Sequence, residues 1–426
     1  MNARLTIRRH TVTEVVLGNR AAFEGGVLHV DRAALADEAS CPEFETVTVD
    51  VAHPGESCRI TAVFDVAAPY AKLDGSGDFP GVLSRIETAG RGTATTLDGC
   101  VVSISTDFPE RASETIDMSG VAAELGAFDG MFVVAITTKR SAETAREEYL
   151  RACKVALLRV ARRLALICAD SIADHTDVVG STAPKGLPRV AAVTMLHSHQ
   201  VPSARDEPIL YGDNVRGLLP VLLHPAEVID GAVLAGYWSF NLETYHIQRR
   251  SLVHELLRRD GTELELVGVV ATVAYDTNEQ RERSTTMAAS LLEQLGVDGA
   301  ILTKVGGGIP QTDLMMTCDR AAERGIPSVV LTVEAIRGAR PGETLSVFSP
   351  RADALVSAGG HDVPVDAPAV ERVIGPPRVY AVAERTGNPV GPEAGTPATD
   401  AQPIRISEIA GATSQLGGTT LRSVSA

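Results

Sequence analysis

The chain has 426 residues, 44% hydrophobic and 22% charged, with 39 Lys and Arg against 54 Asp and Glu for a formal charge of −15. That is a globular composition with enough apolar side chain for more than one core, so two domains are expected. A surface this acidic is repelled by a phosphate backbone or an anionic bilayer, which excludes nucleic acid and membrane as partners.

Met1 to His10 carry basic residues with no apolar run behind them, so no signal peptide is expected. Residues 1–135 alternate short β-like runs with Gly, Asp and Pro punctuation. The clearest are Thr46–Val51, Arg59–Phe64 and Met131–Ile136, with a brief helix around 31–38. Ser141 to Ala173 takes helical period. Ser141 is placed to cap it, with Glu143, Glu147 and Glu148 early and Arg159, Arg162 and Arg163 late, as the helix dipole favours. Those arginines also break up 154–168, the nearest approach to a membrane-spanning stretch. Asp174–Pro188 reads as a linker. Beyond it, strand-like runs at 189–196, 264–273, 299–304, 328–333 and 354–357 alternate with helical stretches at 249–258, 281–295 and 313–324. That alternation predicts a parallel sheet with helices on both faces. The expected class is α/β: a β-rich N-terminal domain over 1–185 closed by a long helix, and a doubly wound, mostly parallel α/β domain over 186–426. A tail rich in Gly, Pro, Ser and Thr begins near 384. The six cysteines, at 41, 58, 100, 153, 168 and 318, form no C-x-x-C pair and read as reduced thiols of a cytoplasmic protein.

In an open α/β sheet ligands gather at the carboxyl ends of the strands, and three such ends are polar here. Met195-Leu-His197-Ser-His199 puts two imidazoles on one face of an extended strand, a pattern for proton transfer or, with His224, Glu227 and Asp230, for a metal. The plain alternative is two polar residues at a strand end. Thr303-Lys-Val-Gly306-Gly307-Gly308-Ile-Pro-Gln-Thr312-Asp313 leaves a strand and enters a helix. It suits the close approach of a carboxylate or phosphate, with Thr312 as N-cap, or is simply a tight turn. Gly231 to His246 holds Tyr237, Trp238 (the sole tryptophan), Tyr245 and His246, aromatics that would wall a pocket, an interface or a local core patch.

Together these segments resemble the α/β proprotein of component B of the glycine/sarcosine/betaine reductases, related to the proline reductase proprotein. The resemblance rests on Pro54-Gly-Glu-Ser57 with Arg59-Ile60, Gly75-Ser-Gly77 with Phe79-Pro-Gly81, and Ile116-Asp-Met-Ser-Gly120. It continues in order through Tyr211-Gly212, Glu227-Val228 with Asp230-Gly-Ala232, Gly296-Val-Asp-Gly299, Thr312-Asp-Leu314 with Met316 and Cys318, and Gly411-Ala-Thr413 with Leu416-Gly417. It implies a substrate-binding subunit whose self-cleavage at a cysteine leaves a pyruvoyl group. The pyruvoyl carbonyl captures the substrate amine as a Schiff base, and a partner γ subunit then attacks the substrate carbon with a selenol or thiol.

Two departures qualify that expectation. The family's cysteine follows the segment matching Gly231–Gly236, whereas this chain reads Tyr237-Trp238-Ser239-Phe240 and has no cysteine between Cys168 and Cys318. Ser239 is the alternative processing residue. The family also tends to Gln-x-Gln where His197-Ser-His199 stands. The expectation is therefore an uncleaved component B-like subunit in a hetero-oligomer, without pyruvoyl. It would present a small amine or other organic substrate to a γ-like partner carrying selenocysteine or cysteine, for reductive C–N or C–X cleavage. His197, His199 and His246 would act as acid, base or orienting groups. Glu227, Tyr237 and Trp238 would line the pocket, and Gly306, Gly307, Gly308, Thr312 and Asp313 would hold an anion. The alternatives are a non-catalytic scaffold for the partner and a metal-dependent enzyme built on His197 and His199.

Overall fold

The computed structural model describes residues 4–74, 77–107, 114–180, 186–196, 207–237, 242–305, 308–334, 345, 347–360, 363–378, 395–413 and 416. The N-terminal half contains β1 (Leu5–Thr11), helix α1 (Arg32–Ala39), β2 (Phe44–Ala52), β3 (Cys58–Ala67), β4 (Tyr70–Lys72), β5 (Gly92–Asp98), β6 (Cys100–Ser105), β7 (Glu114–Asp117), β8 (Phe132–Arg140), helix α2 (Arg146–Leu166) and β9 (His175–Val179). Two sheets form from these strands, in the orders β9-β1-β5-β4 and β7-β3-β6-β8-β2. Helix α2 is their common support. Tyr149, Leu150, Cys153, Leu157, Leu158 and Leu164 are buried on one face of it, in one core with Leu5, Ile7 and Leu97 of the first sheet and Val102, Ile104, Val134 and Ile136 of the second.

Two local expectations are corrected here. Ser141 does not cap α2. The cap is Ala145, whose N–H is taken by the Glu148 carboxylate at 3.3 Å, while the Ser141 hydroxyl bonds the Pro42 carbonyl. Nor is Asp174–Pro188 all linker, because His175–Val179 pairs antiparallel with β1.

From residue 186 the chain builds β10 (Arg189–Leu196), β11 (Val221–Leu223), α3 (Thr244–Arg249), α4 (Leu252–Arg259), β12 (Glu265–Val273), α5 (Asn278–Leu295), β13 (Gly299–Lys304), α6 (Ile309–Ala322), β14 (Ser328–Glu334) and β15 (Ala354–Gly360). The sheet order is β11-β12-β10-β13-β14-β15, with only β11 antiparallel. Counted along the chain, the parallel strands run 2-1-3-4-5. Ala191, Val193, Val270 and Leu302 pack one face against α5 and α6. Ala192, Leu196, Val269 and Ala271 turn to the other face, with Ile247 of α3 and Val253 and Leu256 of α4.

The chain then returns to the N-terminal half. β16 (Pro364–Ala367) pairs with β18 (Gln402–Arg405), and β17 (Arg372–Ile374) adds parallel to β3. Fully buried Arg59 fastens this return. Its Nε and Nη2 grip both Asp117 oxygens at 2.7 and 2.8 Å, and the remaining donors reach the carbonyls of Ala398 at 2.8 Å and Pro368 at 2.9 Å. A buried guanidinium is tolerable only with its partners in place. Asp117→Ala should therefore lower unfolding free energy by about 3–5 kcal/mol, as measured by equilibrium denaturation. A loss below about 1 kcal/mol, the range of an exposed pair, would contradict this account.

Candidate functional site

Segments far apart in sequence meet through glycine. A Cβ on Gly81 (φ +90°) would lie 1.9 Å from the Tyr211 carbonyl oxygen, and one on Gly212 (φ +80°) 2.1 Å from the Gly81 oxygen. A Cβ on Gly231 would lie 2.6 Å from the Phe79 ring. The 79–81 and 211–212 segments therefore touch backbone to backbone, which only residues without Cβ permit, and Gly231 lies on the Phe79 ring.

Beside this contact runs a chain of buried charge. Asp230 accepts from Tyr70 Oη at 2.6 Å and Gly90 N at 2.7 Å, and Lys72 Nζ stands 2.6 Å from it. The Lys72 backbone N–H donates to Asp78, which also accepts from Arg162 Nε at 2.7 Å. Burial pushes the Asp230 carboxyl up to about 6, against the pull of the Lys72 ammonium and of its hydrogen-bond donors.

Immediately downstream, both ends of segment 238–241 are held by buried ionisable groups. Lys154 of α2 donates to the Ala235 carbonyl at 2.9 Å and pairs with Asp65 of β3. Asp65 in turn accepts from Thr244 N at 2.8 Å and Thr244 Oγ1 at 2.7 Å. Glu207 accepts from Tyr237 N. Past the segment, Glu243 accepts from Gly411 N at 2.9 Å and lies against His246 Nδ1, while His246 Nε2 has no hydrogen-bond partner among the described residues. Burial would raise the Glu243 carboxyl, but the adjacent His246 outweighs it and holds the group below the usual carboxylate range. Asp65, Lys154, Glu207, Glu243, Thr244 and His246 are each at most 2% exposed. Titratable groups buried together beside one stretch of chain make it a candidate functional site.

The expected residues divide three ways. His246 belongs to this cluster, and half-buried Tyr237 packs on the Phe64 ring at 5.7 Å between centroids. Glu227 is occupied otherwise, accepting from Tyr211 Oη at 2.8 Å and from the His224 N–H at a helix start. His224 Nδ1 accepts from Ala226 N at 3.1 Å and Asp230 pairs with Lys72, so the trio expected to complete a metal site is committed elsewhere. Among the described residues no three His, Cys, Asp or Glu side chains are placed to hold a metal ion. His197, His199, Trp238, Ser239, Gly306 and Gly307 lie outside the described residues.

At the glycine turn the expected cap is corrected: Gly308 caps α6, and Thr312 lies within the helix. Pro310 brings no N–H, and Gln311 spends its own on the Gly308 carbonyl, so two of the four N-terminal positions offer an anion no donor. Asp313 accepts from Tyr275 N at 2.9 Å and from Arg281, tying the end of β12 to α6.

Asp65, Lys154, Glu207 and Glu243 were missed from sequence. Two of them carried a signal: Lys154 sits between Leu150 and Leu158 at helical spacing on the apolar stripe, and Asp65 interrupts the apolar run of β3.

The chain is a mixed α/β protein with a cluster of buried ionisable groups where its two halves meet. The comparison with known proteins is specific about its family. The model of the glycine/sarcosine/betaine reductase component B subunits matches residues 3–423, and the chain belongs to that family. It is similar to glycine reductase complex component B subunits alpha and beta of Peptoclostridium acidaminophilum, 31% identical over 97% of this chain and 98% of the relative. The protein of the same description from Acetoanaerobium sticklandii is 29% identical over 97% and 98%. Sarcosine reductase complex component B subunit alpha of P. acidaminophilum is 31% identical over 87% of this chain and 89% of its own length. No solved structure matches the chain.

The raised pKa of Asp230 has a testable sign. With its folded value above the unfolded value near 3.9, the folded chain binds more protons between about pH 4 and 6, and this group's contribution to stability falls as pH rises through that window. The stability of wild type minus that of Asp230→Asn should decline from pH 4 to 6 by up to roughly 3 kcal/mol. A difference flat across the window would show that the carboxyl is not perturbed.

Proposed function

We propose that this chain is the substrate-binding subunit of a glycine/betaine/sarcosine reductase-like complex, acting uncleaved and without a pyruvoyl group. The observation that carries the reading is the set of buried ionisable groups holding both ends of segment 238–241. A pyruvoyl site needs a nucleophile in that segment. Of the described cysteines, Cys58, Cys100, Cys153, Cys168 and Cys318 are buried, with thiols pushed up by that burial. Cys41, also pushed up, sits on the N-terminal core. None belongs to the 235–244 stretch, which supports the reading without a pyruvoyl group and leaves the Ser239 hydroxyl as the alternative processing nucleophile.

In this reading the chain binds a small amine or other organic substrate non-covalently beside 235–246. His246, oriented by Glu243, serves as acid or base, and Lys154 and Asp65 keep the segment in place. A γ-like partner carrying a selenocysteine or cysteine supplies the nucleophile for C–N or C–X cleavage. His197 and His199 are the further acid, base or orienting groups of this reading. Electrostatics set in advance of the reaction, rather than a covalent handle, would then orient the substrate.

The intact mass under denaturing conditions tests the first point. One species near 44.8 kDa is expected. Two fragments meeting between Trp238 and Ser239, the second lacking an N-terminal amine, would overturn the uncleaved reading. For the imidazoles, His197→Gln with His199→Gln should abolish turnover of the complex reconstituted with the γ-like partner while leaving thermal unfolding unchanged. Unaltered turnover would remove both residues from the mechanism.

A further inference from the structure

Helix α2 carries Arg159 and Arg162 one turn apart, and both line a cavity of about 360 Å³. Small-molecule sites occupy about 300–1,000 Å³. The other walls come from Glu38 of α1, Lys72 of β4 and the loop of Gly77 and Asp78. Gly77 closes one of the motifs on which the resemblance rests. With φ +91° it folds the loop back so tightly that a Cβ there would lie 2.4 Å from Ser84 Cβ.

The two guanidiniums are held differently. Asp78, 2% exposed, accepts from the Lys72 N–H and from Arg162 Nε at 2.7 Å. Fixed through Nε, Arg162 keeps both Nη groups without a hydrogen-bond partner among the described residues. Arg159 is exposed and has no hydrogen bond or ion pair among the described residues. Like charges one turn apart on a helix repel each other, and the Lys72 ammonium is already matched by Asp230. Glu38 is the lining carboxylate left without a hydrogen bond or ion pair among the described residues.

We propose that this cavity binds a small phosphate monoester, with the phosphoryl group on the Arg159 and Arg162 guanidiniums and a ligand hydroxyl donating to Glu38. A phosphate monoester brings a charge of roughly −1.5 to −2 near neutral pH and three acceptor oxygens. That matches two guanidiniums, where a monocarboxylate would match one. The planar fork of arginine takes phosphate oxygens in pairs. Because a buried carboxylate already aligns Arg162, less side-chain freedom is lost on binding. The Glu38 carboxylate repels a second anionic group, so the rest of the ligand is neutral and polar. The inference uses neither segment 238–241 nor a partner subunit, and it stands or falls apart from the reductase reading.

Calorimetric titration of the full chain with glycerol 3-phosphate, near neutral pH in a phosphate-free buffer of constant ionic strength, tests it. Saturable binding is expected, and acetate at the same ionic strength should not saturate. Arg159→Gln, at an exposed position, should leave thermal unfolding of the free chain unchanged. It should weaken binding at least about tenfold, as the loss of a charge-assisted contact to phosphate does. Arg163→Gln removes the same charge from the same helix outside the cavity, and should change affinity by less than about twofold because an exposed charge away from the ligand is screened. The proposal is overturned by the absence of saturation with glycerol 3-phosphate, by acetate binding as tightly, or by equal affinity in wild type and Arg159→Gln. It is equally overturned if Arg163→Gln weakens binding as much as Arg159→Gln.

Discussion

A lysine and an aspartate with almost no access to water, Lys154 and Asp65, lie where the N-terminal sheets meet the chain that leads into the second half. Removing two charges from water costs several kcal/mol each, and their mutual attraction recovers that only when every remaining donor and acceptor is used. Here they are used: the Lys154 ammonium also holds the Ala235 carbonyl, and Asp65 takes both the N–H and the hydroxyl of Thr244. The two residues come from helix α2 and strand β3, while what they hold lies about 80 and 180 residues further along. The register of α2 on the sheets therefore decides where Ala235 and Thr244 sit.

The glycine contacts impose a second constraint of a different kind. Gly81 and Gly212 face each other so closely that neither position admits a Cβ, and Gly231 lies on the Phe79 ring. Backbone brought this near excludes water, so Asp230, next to Gly231, must find its partners in Tyr70, Lys72 and Gly90 rather than in solvent. Three of the short motifs on which the resemblance rests, Phe79-Pro-Gly81, Tyr211-Gly212 and Asp230-Gly-Ala232, are thus one packed junction. Beside that junction, Glu227 accepts from the His224 N–H at a helix start.

Where sequence reading succeeded, the signal was local. Strands 189–196, 299–304 and 328–333 stood out because a strand buried on both faces reads as a continuous apolar run, and each is present within a residue at either end. Where it failed, a distant partner outbid the local preference. His175–Val179 looked like linker until β1 offered it a ladder, and Ser141 looked like a cap until the Pro42 carbonyl took its hydroxyl. Thr312 lost the cap to Gly308, whose positive φ starts the helix four residues earlier.

By itself the sequence determined the class of the protein, the alternation of strand and helix beyond residue 186, the kinship with component B of the reductases, and the absence of a cysteine between Cys168 and Cys318. These are properties of composition, period and order, which need no folding to be read. Only the tertiary structure decided that β17 returns to pair with β3 and that Arg59 grips the Pro368 and Ala398 carbonyls. It alone joined Asp65, Lys154, Glu207 and Glu243 around one segment, and it alone set Asp78 against Arg162 beside one cavity. The reason is that burying a charge is favourable only in company, and the company each of these charges keeps comes from elsewhere in the chain.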